Sequence, residues 1–300
     1  MKRFILLGAL VAVGSLSLMA AQPPAQPAGP RVIDILKLKD NLYVLTSSTP
    51  GNAATFSGGN VAVFITDGGV TLVDTKLAGW GQAALDKVKG VTSKPITRII
   101  NTHTHGDHTG NNGFFGANVE IVAHENTKTN MEKMPAFQGE NAKFLPGKTY
   151  KDKMSLGSGK DKIDLYYFGA GHTSGDTFVV FPALRVLHTG DMFAWKDGPL
   201  CDRNNGGSCV AFPRTLQKVV EQIKDVDTVI PGHSPMMKPS DVREYQHFTD
   251  ELLLYAMDSM KAGKSVDDAT AAFNVVDRYP GYKKERVKGA IQAVYDELKK

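Results

Sequence analysis

The chain has 300 residues, of which 42% are hydrophobic and 22% charged, with 30 Gly, 15 Pro and two Cys. That composition excludes a disordered, collagen-like or disulfide-scaffold protein and leaves enough apolar sequence to bury a sizeable core. The formal charge of +4, halved if Lys2 and Arg3 are removed with a leader, gives no support to a nucleic-acid partner, which calls for a clustered basic surface.

Lys2 and Arg3 precede the apolar run 4–14, and Ala20 and Ala21 end the segment. This is the charged, apolar and small-residue order of a secretory signal peptide over residues 1–21. The run is too short to span a bilayer, so the expectation is a periplasmic or secreted protein without stable membrane insertion. Residues 22–30 are Pro-rich and aperiodic and read as an extended tether, with folding starting near Arg31.

The β-branched runs at 42–45, 61–65, 70–73, 96–100 and 119–122 predict strands, and Ala83, Leu85 and Val88 mark an exposed helix among them. Further strands are predicted at 163–168, 177–181, 185–188 and 228–230. A helix precedes the last of these, with Pro213 first and Leu216, Val219, Val220 and Ile223 on one face. Beyond Pro239 the chain turns helical. Val242, Tyr245, Leu252, Leu253, Ala256 and Met260 fit one amphipathic helix, Ser265 caps a second, and Val287, Ile291, Val294 and Leu298 mark the last. Strand runs separated by helices, twice over, predict an α/β chain with helices packed outside two β layers.

Chemistry concentrates in Asn101-Thr-His-Thr-His-Gly-Asp-His-Thr-Gly110, directly after a predicted strand. Residues two apart in extended chain point the same way, so His103 and His105 reach one ion together. Asp107 and His108, past the bend at Gly106, face a second position. Imidazole nitrogens with a single carboxylate suit Zn²⁺ and, less exclusively, Fe or Mn, whereas Ca²⁺ or Mg²⁺ would call for more oxygen. Two ions need further ligands, and candidates stand in loops after predicted strands: His172 in Gly-Ala-Gly-His-Thr, Asp191 in His-Thr-Gly-Asp, and His233 in Ile-Pro-Gly-His. His124 and His247 read as structural, His188 as packing behind Asp191, and Met131, Met134, Met236 and Met237 as core filler. Phe193, Trp195 and Lys196, which leave Asp191 in a loop, are the expected substrate contacts. Residues 47–60, rich in Gly, Ser and Thr, are expected to form a flap over the metals. The sequence carries no Gly-x-Ser-x-Gly elbow, no phosphate loop and no Gly-x-Gly-x-x-Gly, so serine hydrolase, nucleotidase and dinucleotide readings lack their carriers.

In order, His-x-His-x-Asp-His at 103–108, Gly-His-Thr at His172, Thr-Gly-Asp at Asp191 and Pro-Gly-His at His233 resemble the metallo-β-lactamase superfamily over about residues 40–235. The resemblance implies a four-layer αββα sandwich with the site at one edge, a catalytic region over 31–238 and a helical C-terminal extension over 239–300. It further implies two Zn²⁺ per chain, one held by His103, His105 and His172, the other by Asp107, His108 and His233, with Asp191 bridging. Asp191 stands where some lactamases of that family carry a cysteine ligand, so the set resembles that of the hydroxyacylglutathione hydrolases. The implied activity is hydrolysis of a small molecule by a shared water whose pKa falls towards about 7, with Asp107 and Asp191 orienting the nucleophile and passing its proton. A β-lactam-type cyclic amide is the specific expectation. A thioesterase or lactonase, and a single-iron oxygenase on the same fold, are the alternatives. With seven His and Asp positions taken and an oxidising compartment expected, Cys201 and Cys209 read as a disulfide near the metals. Oligomeric state is left open.

Overall fold

A computed structural model describes residues 33–46, 55–116 and 118–299. The expected leader and tether, and residues 47–54 of the expected flap, lie outside the described residues. The first sheet has seven strands in chain order: β1 (Ile35–Lys39), β2 (Leu42–Leu45), β3 (Val61–Thr66), β4 (Gly69–Val73), β5 (Ile96–Ile100), β6 (Glu120–His124) and β7 (Lys148–Tyr150). Strands β1 to β4 pair antiparallel and β4 to β7 parallel. The second sheet follows the order β12 (Thr228–Pro231), β11 (Val186–Gly190), β10 (Phe178–Phe181), β9 (Ile163–Tyr166), β8 (Lys153–Leu156). It is antiparallel except for the β11–β12 pair.

Period-two alternation assigns each strand residue to one of two faces. In β3, Ala62 and Phe64 join the core shared by both sheets, whereas Val61 and Val63 pack outward against Ala84 and Val88 of α1 (Gly81–Lys89). In β10, Val179 and Phe181 face the shared core, and Phe178 and Val180 face outward. Phe64 and Phe181 meet across the sandwich with centroids 5.0 Å apart. Two short helices, α2 (Gly106–Thr109) and α3 (Glu125–Met131), follow β5 and β6. The outer face of the second sheet is covered by α4 (Phe212–Gln222), α5 (Pro239–Lys261), α6 (Val266–Ala271) and α7 (Val287–Leu298), through Leu216, Val219, Tyr245, Phe248, Leu252, Ala269, Ile291 and Val294. The architecture is the αββα sandwich with a helical C-terminal extension. No helix among the described residues is long and apolar enough to cross a membrane.

The three strands not singled out in the sequence, β1, β7 and β8, are all sheet edges. Each carries lysine and an exposed side, which blunts an edge against pairing and erases the apolar run that marks a central strand. Pro213 is the second residue of α4, after Phe212. Strand β6 runs on to His124, whose Nδ1 accepts from Asn126 N at the start of α3 while Nε2 donates to Lys151 O at 2.7 Å. Truncating Phe64, 1% exposed, is expected to lower unfolding free energy by about 3–5 kcal/mol. Chemical denaturation of Phe64→Ala checks this, and a loss below about 1 kcal/mol would contradict the shared-core placement.

Candidate metal centre

The loops after β4, β5, β9, β11 and β12 converge at one edge of the sandwich and deliver the polar residues there. After β5 the chain bends through residues 102–104 to His105, which is extended and stands at the N-cap of α2. That single helical turn brings Asp107 and His108 to His233, while the His108 ring stays 4.2 Å from that of His103. After β11, Gly190 takes φ +50°, and a Cβ there would lie 2.8 Å from Thr102 Oγ1. After β12, a Cβ on Gly232 would lie 1.9 Å from Asp191 Oδ1, so only glycine lets Asp191 seat between the two loops.

The ligand-type atoms fall into groups whose members lie within 4.8 Å of one another: His103, His105 and His172; Asp107, His108 and His233; and His103, His108 and Asp191. His105 Nδ1 is 2.8 Å from His172 Nε2, and His108 Nε2 is 3.2 Å from His233 Nε2. Asp191 spans both sides. Its Oδ2 is 3.6 Å from His172 Nε2 and 3.2 Å from His233 Nε2, and its Oδ1 is 3.3 Å from His108 Nε2.

Four outward ring nitrogens already have partners. His103 Nδ1 meets Thr102 Oγ1 at 3.0 Å, His105 Nε2 meets Asp202 Oδ2 at 2.7 Å, His108 Nδ1 meets Asp74 Oδ2 at 2.7 Å, and His172 Nδ1 meets the Leu200 carbonyl at 2.7 Å. With the protons committed outward, the lone pairs of the other nitrogens converge inward. His103 Nε2 and Asp191 Oδ1 are buried with no hydrogen-bond partner. Convergent imidazole lone pairs, carboxylates and orphaned buried atoms are a donor set that cations satisfy, so the residues present fit a metal pair.

Charge follows burial and proximity. Burial pushes His103 well below the ordinary histidine value, and His108 and His172 push further the same way. Burial lowers His172 to about 4. Burial opposes charge on His108 too, but the carboxylates of Asp191, Asp107 and Asp74 hold it well above the usual range. Asp107 sits at about 2 because His108 and His233 outweigh its burial. Asp191 is held well below the carboxylate range by the same two histidines.

Of the expected substrate contacts, Trp195 and Lys196 line a cavity of about 700 Å³ together with His233, Met236, Met237 and Arg286. The Trp195 ring lies 5.5 Å from that of His233 and carries the Arg286 guanidinium 3.7 Å from its centroid. Lys196 Nζ is engaged by Asp241 at 2.8 Å and Glu244 at 3.1 Å on α5. Phe193 is a correction. It is fully buried in the outer core and stacks on Tyr245 at 4.6 Å, because one 3₁₀ turn over Asp191–Phe193 sends Asp191 to the site and Phe193 away from it. Met236 and Met237 line the cavity rather than only fill core. The described end of the expected flap is fixed in place: Phe56 stacks on His233 at 5.7 Å, and Asn60 Nδ2 donates to Pro231 O and Ser234 O, both at 2.8 Å. Cys201 and Cys209 are joined in a disulfide.

Three contributors escaped the sequence reading. Asp74, fully buried after β4, accepts from Thr102 N, Thr102 Oγ1 and His108 Nδ1 and so braces both histidine groups. Asp202 braces His105. Lys76 is fully buried, donates to Thr46 O at 2.9 Å and Gly59 O at 2.7 Å, and is lowered by burial to about 7. The signal for Asp74 was present, since it follows a strand just as Asp191 does.

Comparison with known proteins gives a match to the family described as "Metallo-beta-lactamase superfamily" over residues 54–233. "Metallo-beta-lactamase type 2" of Elizabethkingia meningoseptica is 27% identical over 230 residues, covering 74% of this chain and 86% of that protein. "Metallo-beta-lactamase IND-1" of Chryseobacterium indologenes is 24% identical over 200 residues, covering 65% of this chain and 80% of its own. Among solved structures, a metallo-beta-lactamase from Pontibacter korlensis superposes with a TM-score of 0.61 at 21% identity, covering 73% of this chain and 99% of that one.

Burial places His172 and His188 at about 4 and also lowers His103 and His124, so these groups take up protons on unfolding below about pH 6.5. Their contribution is complete above that pH and is lost as pH falls towards 4. Asp176 and Asp197, raised by burial, and His108 and His233, raised against their burial by the Asp191 and Asp107 carboxylates, pull the other way, so the share of one lowered histidine is read by difference. The melting temperature of chelator-treated His188→Gln is expected to depend less steeply on falling pH between 6.5 and 4.5 than that of the parent protein, because His188 no longer takes up a proton on unfolding. An equal loss, or a greater one, in His188→Gln would contradict the assignment.

Proposed function

The chain belongs to the metallo-beta-lactamase superfamily and is a metal-dependent hydrolase, and from that premise we propose that it is an exported dinuclear zinc enzyme cleaving a carbonyl compound, with β-lactam-type cyclic amides the first class to test. The observation that carries this is Asp191, one buried carboxylate within 3.6 Å of imidazole nitrogens on both sides of the site. His103 Nε2, His105 Nδ1 and His172 Nε2 would hold one ion. Asp107, His108 Nε2 and His233 Nε2 would hold the other, with Asp191 shared. When bound, such a pair supplies a Lewis acid for the carbonyl oxygen and a water acidified towards pKa about 7.

The chain's own groups do the rest. Asp107 is ionised at neutral pH and, with its side chain 21% exposed, is the more open of the two carboxylates. It therefore accepts a hydrogen bond from the attacking water and aims it. Asp191 is almost closed to solvent and fixes the spacing of the two histidine groups. The cavity beside His233 is of the size that takes a small molecule, with the Trp195 face and the Met236 and Met237 side chains as its apolar wall. The names of the relatives support the β-lactam reading. One observation favours a second, a thioesterase or lactonase: Asp191 and His108 complete a ligand set of His and Asp alone, like that of the hydroxyacylglutathione hydrolases. Export rests on residues 1–21 and is supported by the Cys201–Cys209 bridge, which suits an oxidising compartment. Residues 31–238 would form the catalytic region and 239–300 the helical extension.

Purified enzyme is expected to hold two zinc per chain and to hydrolyse one class in a panel of β-lactams, thioesters and lactones. Asp107→Ala is expected to lower kcat/KM by about 10²–10⁴-fold with the circular dichroism spectrum unchanged. One bound iron in place of zinc, or undiminished hydrolysis by Asp107→Ala, would overturn the proposal.

A further inference from the structure

The segment flanking Cys201 touches two of the first three histidines, His105 and His172, at three points. The Leu200 carbonyl accepts from His172 Nδ1 at 2.7 Å, the Asp202 carboxylate takes His105 Nε2 at 2.7 Å, and Asp202 N donates to the His172 carbonyl at 2.8 Å. The rest of the loop is seated on the same partner. Ser208 N donates to Gly171 O at 2.9 Å and Ser174 N to Asn205 O at 2.9 Å. The approach is close enough that a Cβ on Gly207 would lie 2.3 Å from the His172 carbonyl oxygen. At the far foot, Cys209 N and Ser208 Oγ donate to the Glu297 carboxylate of α7 at 2.7 and 2.6 Å. Among the described contacts, the second group is braced elsewhere, His108 by Asp74 and His233 by the Phe56 ring.

We infer that the loop closed by Cys201 and Cys209 is the positioning frame of His105 and His172, two of the three histidines of the first group, with Asp202 its positioning residue, so that this group's hold on its metal depends on the disulfide. The inference rests on the two-metal reading above. A carboxylate on Nε2 of His105 keeps the Nδ1 lone pair aimed at His172 and raises the ring's donor strength. The bridge closes a loop of sequence separation 8 and so limits how far residues 200–202 can drift from the two rings. A dithiol opens it by passing two electrons and two protons to the Cys201–Cys209 bond, giving two thiols while the reductant becomes a disulfide. The frame then loosens on one side of the site only.

The test is zinc competition against a chromophoric chelator, using the full chain with two zinc bound. Asp202→Ala, and separately the Cys201→Ser/Cys209→Ser pair, are each expected to weaken one site by about 10–100-fold and leave the other unchanged. Asp202→Asn, which keeps an acceptor for His105, should recover part of the loss. Cobalt(II) substitution should alter the visible spectrum of one site only, a readout that general destabilisation would not give. If the serine pair does not fold, the folded enzyme is reduced with dithiothreitol, freed of it by gel filtration, and titrated once two thiols are counted. Wild-type affinity at both sites in Asp202→Ala and in the reduced enzyme, or equal loss at both, would overturn the inference. Fewer than two zinc on the wild-type chain would instead overturn the two-metal reading.

Discussion

Five imidazoles and two carboxylates are brought together at a sandwich edge that is nearly closed to water, and polar groups so placed destabilise a fold unless each is satisfied. The chain meets that constraint in two layers. The outer layer is protein: Asp74, Asp202, Thr102 Oγ1 and the Leu200 carbonyl each take one ring nitrogen. The inner layer is left to lone pairs that face one another across about 3 Å, together with the orphaned His103 Nε2 and Asp191 Oδ1. Such an interior is stable with cations between the donors. The glycines at 190 and 232, the single turn of α2 and the buried Asp74 all serve the same end.

The sandwich follows from ordinary patterning, and it gives the site its rigidity. Central strands are apolar on both faces because each face meets a core, one shared between the sheets and one beneath helices. These runs are visible in the sequence for the same reason. Edge strands β1, β7 and β8 meet solvent, carry lysine and lose the signal. The seven candidate ligands were legible because His and Asp are dense in one segment and recur after strands. Of their braces, Asp74 stands after a strand just as Asp191 does, but without the His-rich company that marks a ligand, and Asp202 is a single acid whose histidine partner lies 97 residues away in the chain. Phe193 went astray for a related reason: proximity to Asp191 along the chain says nothing about a turn that sends the two side chains apart.

The C-terminal helices lie beyond the matched 54–233 span yet reach the site from two directions. Through Asp241 and Glu244, α5 holds Lys196 at the cavity wall, and the segment before α7 lays Arg286 on Trp195. Through Glu297, α7 holds the foot of the disulfide loop. The extension thus acts on the cavity wall and on the loop that braces His105 and His172, as well as covering apolar surface on the second sheet.

Anomalous diffraction at the zinc edge from crystals of the zinc-loaded protein decides whether Asp191 sits between two ions. Two peaks are expected at the sandwich edge, one among His103, His105 and His172 and one among Asp107, His108 and His233, with Asp191 in contact with both. A single peak, or two peaks of which Asp191 touches only one, would contradict it.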